Sequence, residues 1–366
     1  MKRHPPYVVL LFLAPNLLGF LTFTLVPVAL SFAGSFTNWS LRPALPLEFI
    51  GLQNYSRLLH DQSFYLYLYN TAYLMLALPF SIGGALWLAL LLHGKTVFRR
   101  AHTGVRAATA CAFVTTLSSA ALWITGSPNL AYVCAALGTI GTLGFYFGSV
   151  TYRTAFYLPN FTAGAATILL WTQLYNPNSG LINQGLEHVA RAMGADFHGP
   201  GWLTSTKSLL GFLPWPAFFN NGGFGLGARE AIMAMGIWAA IGGNNLILFL
   251  AGLSNIPPEL NEAAEIDGAG SWQRFRHITW PQLAPTTFFI AIISLIGGLQ
   301  GGFEQARMMT NGGPAGTTTT LSYYIYLQGF ERLDLGYGSA VAWILFLLVF
   351  ALTALQWSRR TRDGAD

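Results

Sequence analysis

Eight apolar runs, at residues 7–32, 64–92, 104–126, 129–150, 155–175, 229–253, 284–304 and 337–357, constrain this chain more than any other feature. At about 1.5 Å per helical residue, each is long enough to cross roughly 30 Å of hydrocarbon. A bilayer offers the backbone no partner, so a run of this length must satisfy its own N–H and C=O groups, which a helix does. Only 9% of residues are charged and 53% are hydrophobic, where a soluble domain carries about 25% charge. The expectation is an all-α integral membrane protein, a polytopic bundle of about eight spanning helices forming one domain over residues 1–366. The first run follows Lys2 and Arg3, but it is about twice the length of a secretory apolar region and no small-x-small site closes it. It reads as a retained helix.

Charge then orients the helices. With the N-terminus inside, Lys2, Arg3, Lys95, Arg99, Arg100, Arg106, Arg153, Arg274, Arg276, Arg359, Arg360 and Arg362 fall on inner segments, and Arg42, Arg57, Arg191, Lys207, Arg229, Arg307 and Arg332 on outer ones. Twelve of the 19 basic residues thus sit on roughly a third of the loop length, as cytoplasmic loops require. Both termini are expected in the cytoplasm of a multi-pass plasma (inner) membrane protein, and the net charge of +5 reflects topology, not nucleic-acid binding.

Cys111 and Cys134 lie on the third and fourth runs, joined by a turn at Ser127 and Pro128. Their depths from that turn, roughly 24 and 10 Å, are too different for a disulfide. Gly138, Gly141, Gly144 and Gly148 form a small-residue stripe that lets helices approach closely. The outer stretch 209–227, with Pro214, Trp215, Pro216 and a glycine cluster, is too broken to span and reads as an interfacial or re-entrant hairpin.

Several chemistries are missing. The 14 acidic residues fall in loops or at run ends, Glu230 and Glu304 among them, so no carboxylate relay for a proton or sodium ion is visible. Gly94, Lys95 and Thr96 resemble the end of a phosphate-binding loop, but Ala89 stands where its first glycine belongs. There is no metal-spaced His/Cys cluster and no nucleophile elbow. No catalytic residue, metal site or bound cofactor is expected, and the chain is not read as an enzyme.

What remains is the polar segment 259–281 between two apolar runs. Ile256, Pro257 and Pro258 end one helix; Glu259, Glu262, Glu265 and Asp267 follow on a short helix that Gly268 and Gly270 terminate; Ile278, Trp280 and Pro281 lead back to the membrane. Charge pattern alone leaves two readings, a solvated connection or a face that meets another protein.

At these residues the chain resembles the permease subunits of ABC importers, whose pattern is Glu-Ala-Ala, three residues, Gly, nine residues, Ile-x-Leu-Pro. Glu262, Ala263, Ala264, Gly268, Ile278 and Pro281 fit that spacing, with Trp280 in place of leucine. Asn311, Gly312, Gly313 and Pro314 after Thr310, then Tyr324, Ile325, Tyr326, Phe330, Gly336, Tyr337 and Gly338, resemble the maltose and glycerol-phosphate type of sugar permease. Phe156, Leu158 and Pro159, the Asn176-Pro177 and 180–183 stretches and residues 249–253 extend the likeness over a core of 64–358. It lapses at 106–151, so residues 104–150 read as an inserted hairpin of two spanning helices on a six-helix family core, and at 209–227, which lengthens an outer face.

The resemblance implies a type I ABC importer permease fold. It implies a coupling helix, with Glu262, Ala263, Ala264, Asp267, Gly268, Ile278 and Pro281 meeting a cytoplasmic ATPase. It implies a second permease in a heterodimer, two ABC ATPase subunits that carry the ATP and Mg, an extracytoplasmic solute-binding protein, and a sugar or oligosaccharide as cargo, with polyol or glycerol phosphate as alternatives. Asn244, Asn245, Gln300 and Glu304 are the candidate path residues, equally readable as interhelical hydrogen-bonding groups. A self-contained carrier or membrane enzyme is the alternative from another class. A permease with a degenerate role in its system is a third, suggested by Trp280 and the added helices.

Overall fold

The structure is a computed structural model describing residues 6–42, 46–93, 101–124, 126, 128–147, 149–161, 164–196, 199–214, 216–219 and 221–363. Lys2, Arg3, Gly94, Lys95, Thr96, Arg99, Arg100, Ser127 and Trp215 lie outside the described residues, as does Gly148 of the glycine stripe.

Helices account for nearly everything. In chain order they are α1 (Pro6–Phe20), α2 (Val26–Gly34), α3 (Gln53–His60), α4 (Gln62–Leu74), α5 (Ala77–His93), α6 (Ala101–Ile124), α7 (Pro128–Phe147), α8 (Ser149–Tyr157) and α9 (Gly164–Leu174). Then come α10 (Leu181–Ala192), α11 (Ala228–Ile241), α12 (Asn244–Ser254), α13 (Pro258–Ile266), α14 (Ser271–Arg274), α15 (Trp280–Gln300), α16 (Phe303–Gln305), α17 (Leu321–Tyr326) and α18 (Leu335–Asp363). Among the described residues extended pairing is confined to isolated bridges.

Among the described residues five helical segments are long and apolar enough to cross a membrane: Phe12–Gly34, Gln62–His93, Ala228–Ser254, Ser271–Thr310 and Leu335–Gln356. Shorter apolar helices at Ala110–Ile124, Pro128–Leu143 and Gly164–Leu174 fall on the other three runs. The described residues of all eight runs are therefore predominantly helical. Among the described residues four expected to be continuous are interrupted, the second by a turn at Met75 and Leu76 and the seventh at Gly301 and Gly302. The fifth passes through a 3-10 turn at Leu158–Phe161, where Pro159 has no N–H to give an α-helix. The sixth breaks between α11 and α12 at Gly242 and Gly243. The seventh helix starts earlier than its apolar run, at Ser271.

The chain divides into two compact units, 1–68 with 320–366, and 69–319. In the second, α5, α12 and α15 share a cluster in which Ala85, Ala89, Phe249 and Leu283 are fully buried. Lipid tails are as apolar as leucine, so such a cluster holds by close van der Waals fit and not by expelling water. The hairpin of α6 and α7 obeys the same rule. A Cβ on Gly138 would come within 2.3 Å of Thr115 Oγ1, and one on Gly141 within 3.2 Å of Cys111 Sγ. Both cysteines are free thiols. The hydroxyls of Thr116, Ser118, Ser119, Thr139 and Thr142 each donate to the carbonyl four residues back, so the hairpin satisfies its own polar groups.

In the first unit, Asp61 is the hub. Its Oδ2 accepts from the hydroxyls of Tyr324 and of Tyr337, the latter at 2.7 Å, and its Oδ1 accepts from the Ser63 N–H at 2.9 Å. Burial pushes this carboxyl up, but the Tyr324, Tyr337 and Ser63 donors outweigh that and hold it below its ordinary value. A depressed carboxyl contributes stability that is present above its unfolded pKa, near 3.9, and lost as pH falls through the folded value. Melting of the purified protein between pH 6 and 3 should therefore show wild type losing stability that Asp61→Asn, already weakened at pH 6, no longer has to lose. Parallel curves would refute this.

Candidate functional site

The segment 255–281 hangs between α12 and α15, both fixed in the buried cluster of α5. Pro258 opens α13 with its φ already set and no N–H wasted, and Glu259 in the first turn suits the positive end of the helix. None of its nine residues is buried. The helix ends because Gly268 adopts φ +78°, which a side chain resists. That turn lets the Gly268 N–H reach Glu265 O at 3.1 Å and the Ala269 N–H reach Ala264 O at 2.8 Å, closing the C-terminus with paired bonds. Arg274 ion-pairs with Glu265 across the turn, and Gln273 Oε1 accepts from the Gly270 N–H at 2.8 Å to start α14.

Glu262, Ala263, Asp267 and Gly268 are exposed and Ala264 partly so. Glu259, Glu262, Glu265 and Asp267 thus give a short stub with four carboxylates and no basic residue between 258 and 267. Ile278 and Pro281 lie on the rising helix behind it, Ile278 half-buried and Pro281 exposed. Trp280, unusual for the pattern, has a structural account: its ring lies 6.3 Å from Phe275, which stacks on Trp272 at 5.5 Å, so it completes an aromatic row beside the turn.

A second constellation forms where three helices are interrupted. Gly242 passes so close to the break in the fifth run that a Cβ there would stand 2.1 Å from Phe156 O. This approach brings Asn244 to Asn160, whose Nδ2 donates to Asn244 Oδ1 at 3.4 Å and to Tyr157 Oη at 2.9 Å. The third interruption is Gly301–Gly302, after which Glu304 lays its carboxylate against Gly164, the first residue of α9. Asn244, Gln300 and Glu304 are exposed and Asn245 half-buried. Asn244 and Glu304 therefore approach the same break from different helices. Tyr157 and Asn160 escaped the sequence reading; their signal was polar side chains flanking Pro159 within an apolar run.

A third network centres on a buried arginine. Arg229, 1% exposed, spends its guanidinium on neutral acceptors: Asn70 Oδ1, Thr317 O, Phe219 O and Asn221 Oδ1. The rings of Tyr69 and Tyr73 flank it at 5.2 and 5.5 Å. Asn70 donates in turn to Gly316 O and Thr319 O at 2.8 and 2.9 Å, so the loop beginning Asn311-Gly312-Gly313-Pro314 is tied to α4 and α11 together. Glu230 accepts from the Tyr73 hydroxyl and from the N–H groups of Leu209 and Gly227, which pins both ends of the 209–227 stretch. It is a buried carboxylate whose oxygens are occupied by these three donors. Among the described residues no group of three or more His, Cys, Asp or Glu is placed to hold a metal ion.

Residues 202–359 match the family described as binding-protein-dependent transport system inner membrane component. A probable ABC transporter permease protein of Pyrococcus horikoshii is 30% identical over 99% of this chain and 100% of its own length. The sn-glycerol-3-phosphate transport system permease protein of Yersinia enterocolitica is 34% identical over 57% of this chain and 62% of its own. Among solved structures, a bacterial alginate ABC transporter in complex with an alginate pentasaccharide-bound periplasmic protein superposes with TM-score 0.65, at 20% identity over 97% of this chain and 95% of that one.

Proposed function

This chain belongs to the inner-membrane permease components of binding-protein-dependent ABC transporters, and from that premise we propose that it lines the path of an imported sugar and takes its drive through α13. The observation that carries the reading is α13 itself, an unburied stub whose charged residues are all acidic, closed by a glycine and mounted on two packed helices. A connecting loop needs neither the rigid closure nor the mounting. Such a stub suits a groove with basic donors, where Glu262 accepts charge-assisted hydrogen bonds and Ala263 and Ala264 permit close approach. ATP and Mg then belong to a pair of cytoplasmic ATPase subunits, which places α13 and both termini on the cytoplasmic side. A second permease completes the path, with 64–358 as the common core and 104–150 as an added hairpin. A solute-binding protein delivers cargo from the other face.

The cargo site in this reading is the cluster of Asn244, Asn160 and Tyr157 with Glu304 and Gln300 beside it. Interrupted helices leave amide and hydroxyl groups at membrane depth where cargo hydroxyls can use them. The relatives name an anionic polyol and an acidic saccharide, and a sugar of that broad class is proposed here. The test is uptake of labelled saccharide by proteoliposomes holding the complete importer. Asn244→Ala is expected to raise the half-saturating concentration about tenfold, the worth of one hydrogen bond, while basal ATP hydrolysis stays unchanged. Equal loss of both activities would assign Asn244 to packing instead.

A further inference from the structure

The first unit holds an open cleft of about 580 Å³ lined, apart from Ile50, by polar and charged residues whose aliphatic stems contribute much of its wall. Arg42, Arg57 and Arg332 line it against one carboxylate, Asp334. Arg57 takes that carboxylate at 2.7 Å, so the exposed guanidiniums of Arg42 and Arg332 have no acidic side chain in the cleft to meet. Arg42 is tied to the segment that carries Arg332, since its Nη2 donates to the backbone carbonyl of Arg332 at 3.3 Å. The cleft also stands where two membrane spans end: residues 38–42 follow Phe12–Gly34, and residues 328–334 precede Leu335–Gln356.

Beside it, on the other side of the extended segment 38–40, runs a groove of about 340 Å³. Asn38 and Ser40 face the cleft and Trp39 faces the groove. Leu30 of α2 and Gly338 and Ala342 of α18 carry the groove down along the spans, and Phe330 guards its rim, 60% exposed. Leu41 and Phe49 are also exposed in this region.

We propose that cleft and groove together hold one anionic phospholipid, with its phosphate on Arg42 and Arg332 and one acyl chain in the groove. Guanidinium forks are weakly hydrated and match phosphate oxygens two at a time, which a headgroup at the end of a span would exploit. Another helix in the groove would fill it but leave both arginines unmet, so charge complementarity favours lipid. A carboxylate from a docking protein would meet the arginines and leave the groove bare.

The test is native mass spectrometry of the detergent-purified full-length chain, titrated with dioleoyl phosphatidylglycerol or dioleoyl phosphatidylcholine. Wild type is expected to bind phosphatidylglycerol more tightly. The double variant Arg42→Gln, Arg332→Gln should lose about 25-fold for phosphatidylglycerol, two basic residues at about 1 kcal/mol each, and nothing for phosphatidylcholine. Ser339→Phe, which fills the groove, should weaken both lipids without changing the melting temperature. Unchanged phosphatidylglycerol binding in the double variant overturns the proposal. So does displacement of the lipid by inorganic phosphate at matched concentration, which would reduce the site to a free-anion site. Loss of solute-binding-protein docking with lipid retention intact would hand the cleft to a protein carboxylate and likewise overturn it.

Discussion

Replacing Glu262 with lysine is expected to abolish uptake while the chain still inserts and folds. The side chain is exposed on α13 and touches no buried cluster, so nothing in the structure of this chain depends on its charge. Everything expected to depend on it lies outside the chain. Leaving a basic donor opposite a second basic group costs about 2–5 kcal/mol at a desolvated contact, roughly 30-fold to several-thousand-fold in affinity. Co-purification of the ATPase with the permease, scored beside transport, separates docking from folding. Wild-type uptake by the Glu262→Lys protein would end the coupling assignment.

The second large effect is expected at Arg229. Arg229→Met should keep the apolar volume of the side chain and remove its donors, stranding Asn70 Oδ1 and the carbonyls of Thr317 and Phe219 in a buried setting. Each buried acceptor left without its donor in this way costs about 1–3 kcal/mol. The loss should register as a drop of many degrees in the melting temperature and as protease cleavage within 205–227, the stretch that loses its tether. Because Arg229→Met does not touch α13, ATPase association should persist in whatever fraction remains folded. A melting temperature within a degree or two of wild type would show that the network is not what holds the outer stretches.

How much of this was legible from sequence follows from which interactions are local. The eight helical runs were, because backbone satisfaction in lipid leaves no alternative and composition alone reports it. The end of α13 was too, since Gly268 and the carboxylates before it carry their own instructions. Trp280 was not, because its neighbouring ring Phe275 is placed by the helix that starts at Ser271, well before the apolar run begins. The breaks at Leu158–Phe161 and Gly242–Gly243 were missed because hydropathy averages over them. Arg229 was counted as one outer basic residue among seven; its acceptors lie up to 159 residues away, and no window of sequence reports that. Tyr324 and Tyr337 belong to the same class. They were noticed through resemblance, and their shared acceptor Asp61 became visible only with the fold.

The two-glycine interruption has a mechanical meaning. It turns the stretch Ala228–Ser254 into two arms, one riveted at Arg229 and Glu230, the other leading directly to α13. The Phe156 carbonyl pressed against Gly242 acts as the bearing between them. If the proposed coupling through α13 holds, a push delivered there need not move the arm anchored at Arg229 and Glu230. It would be spent at the joint, and the first side chain past that joint is Asn244.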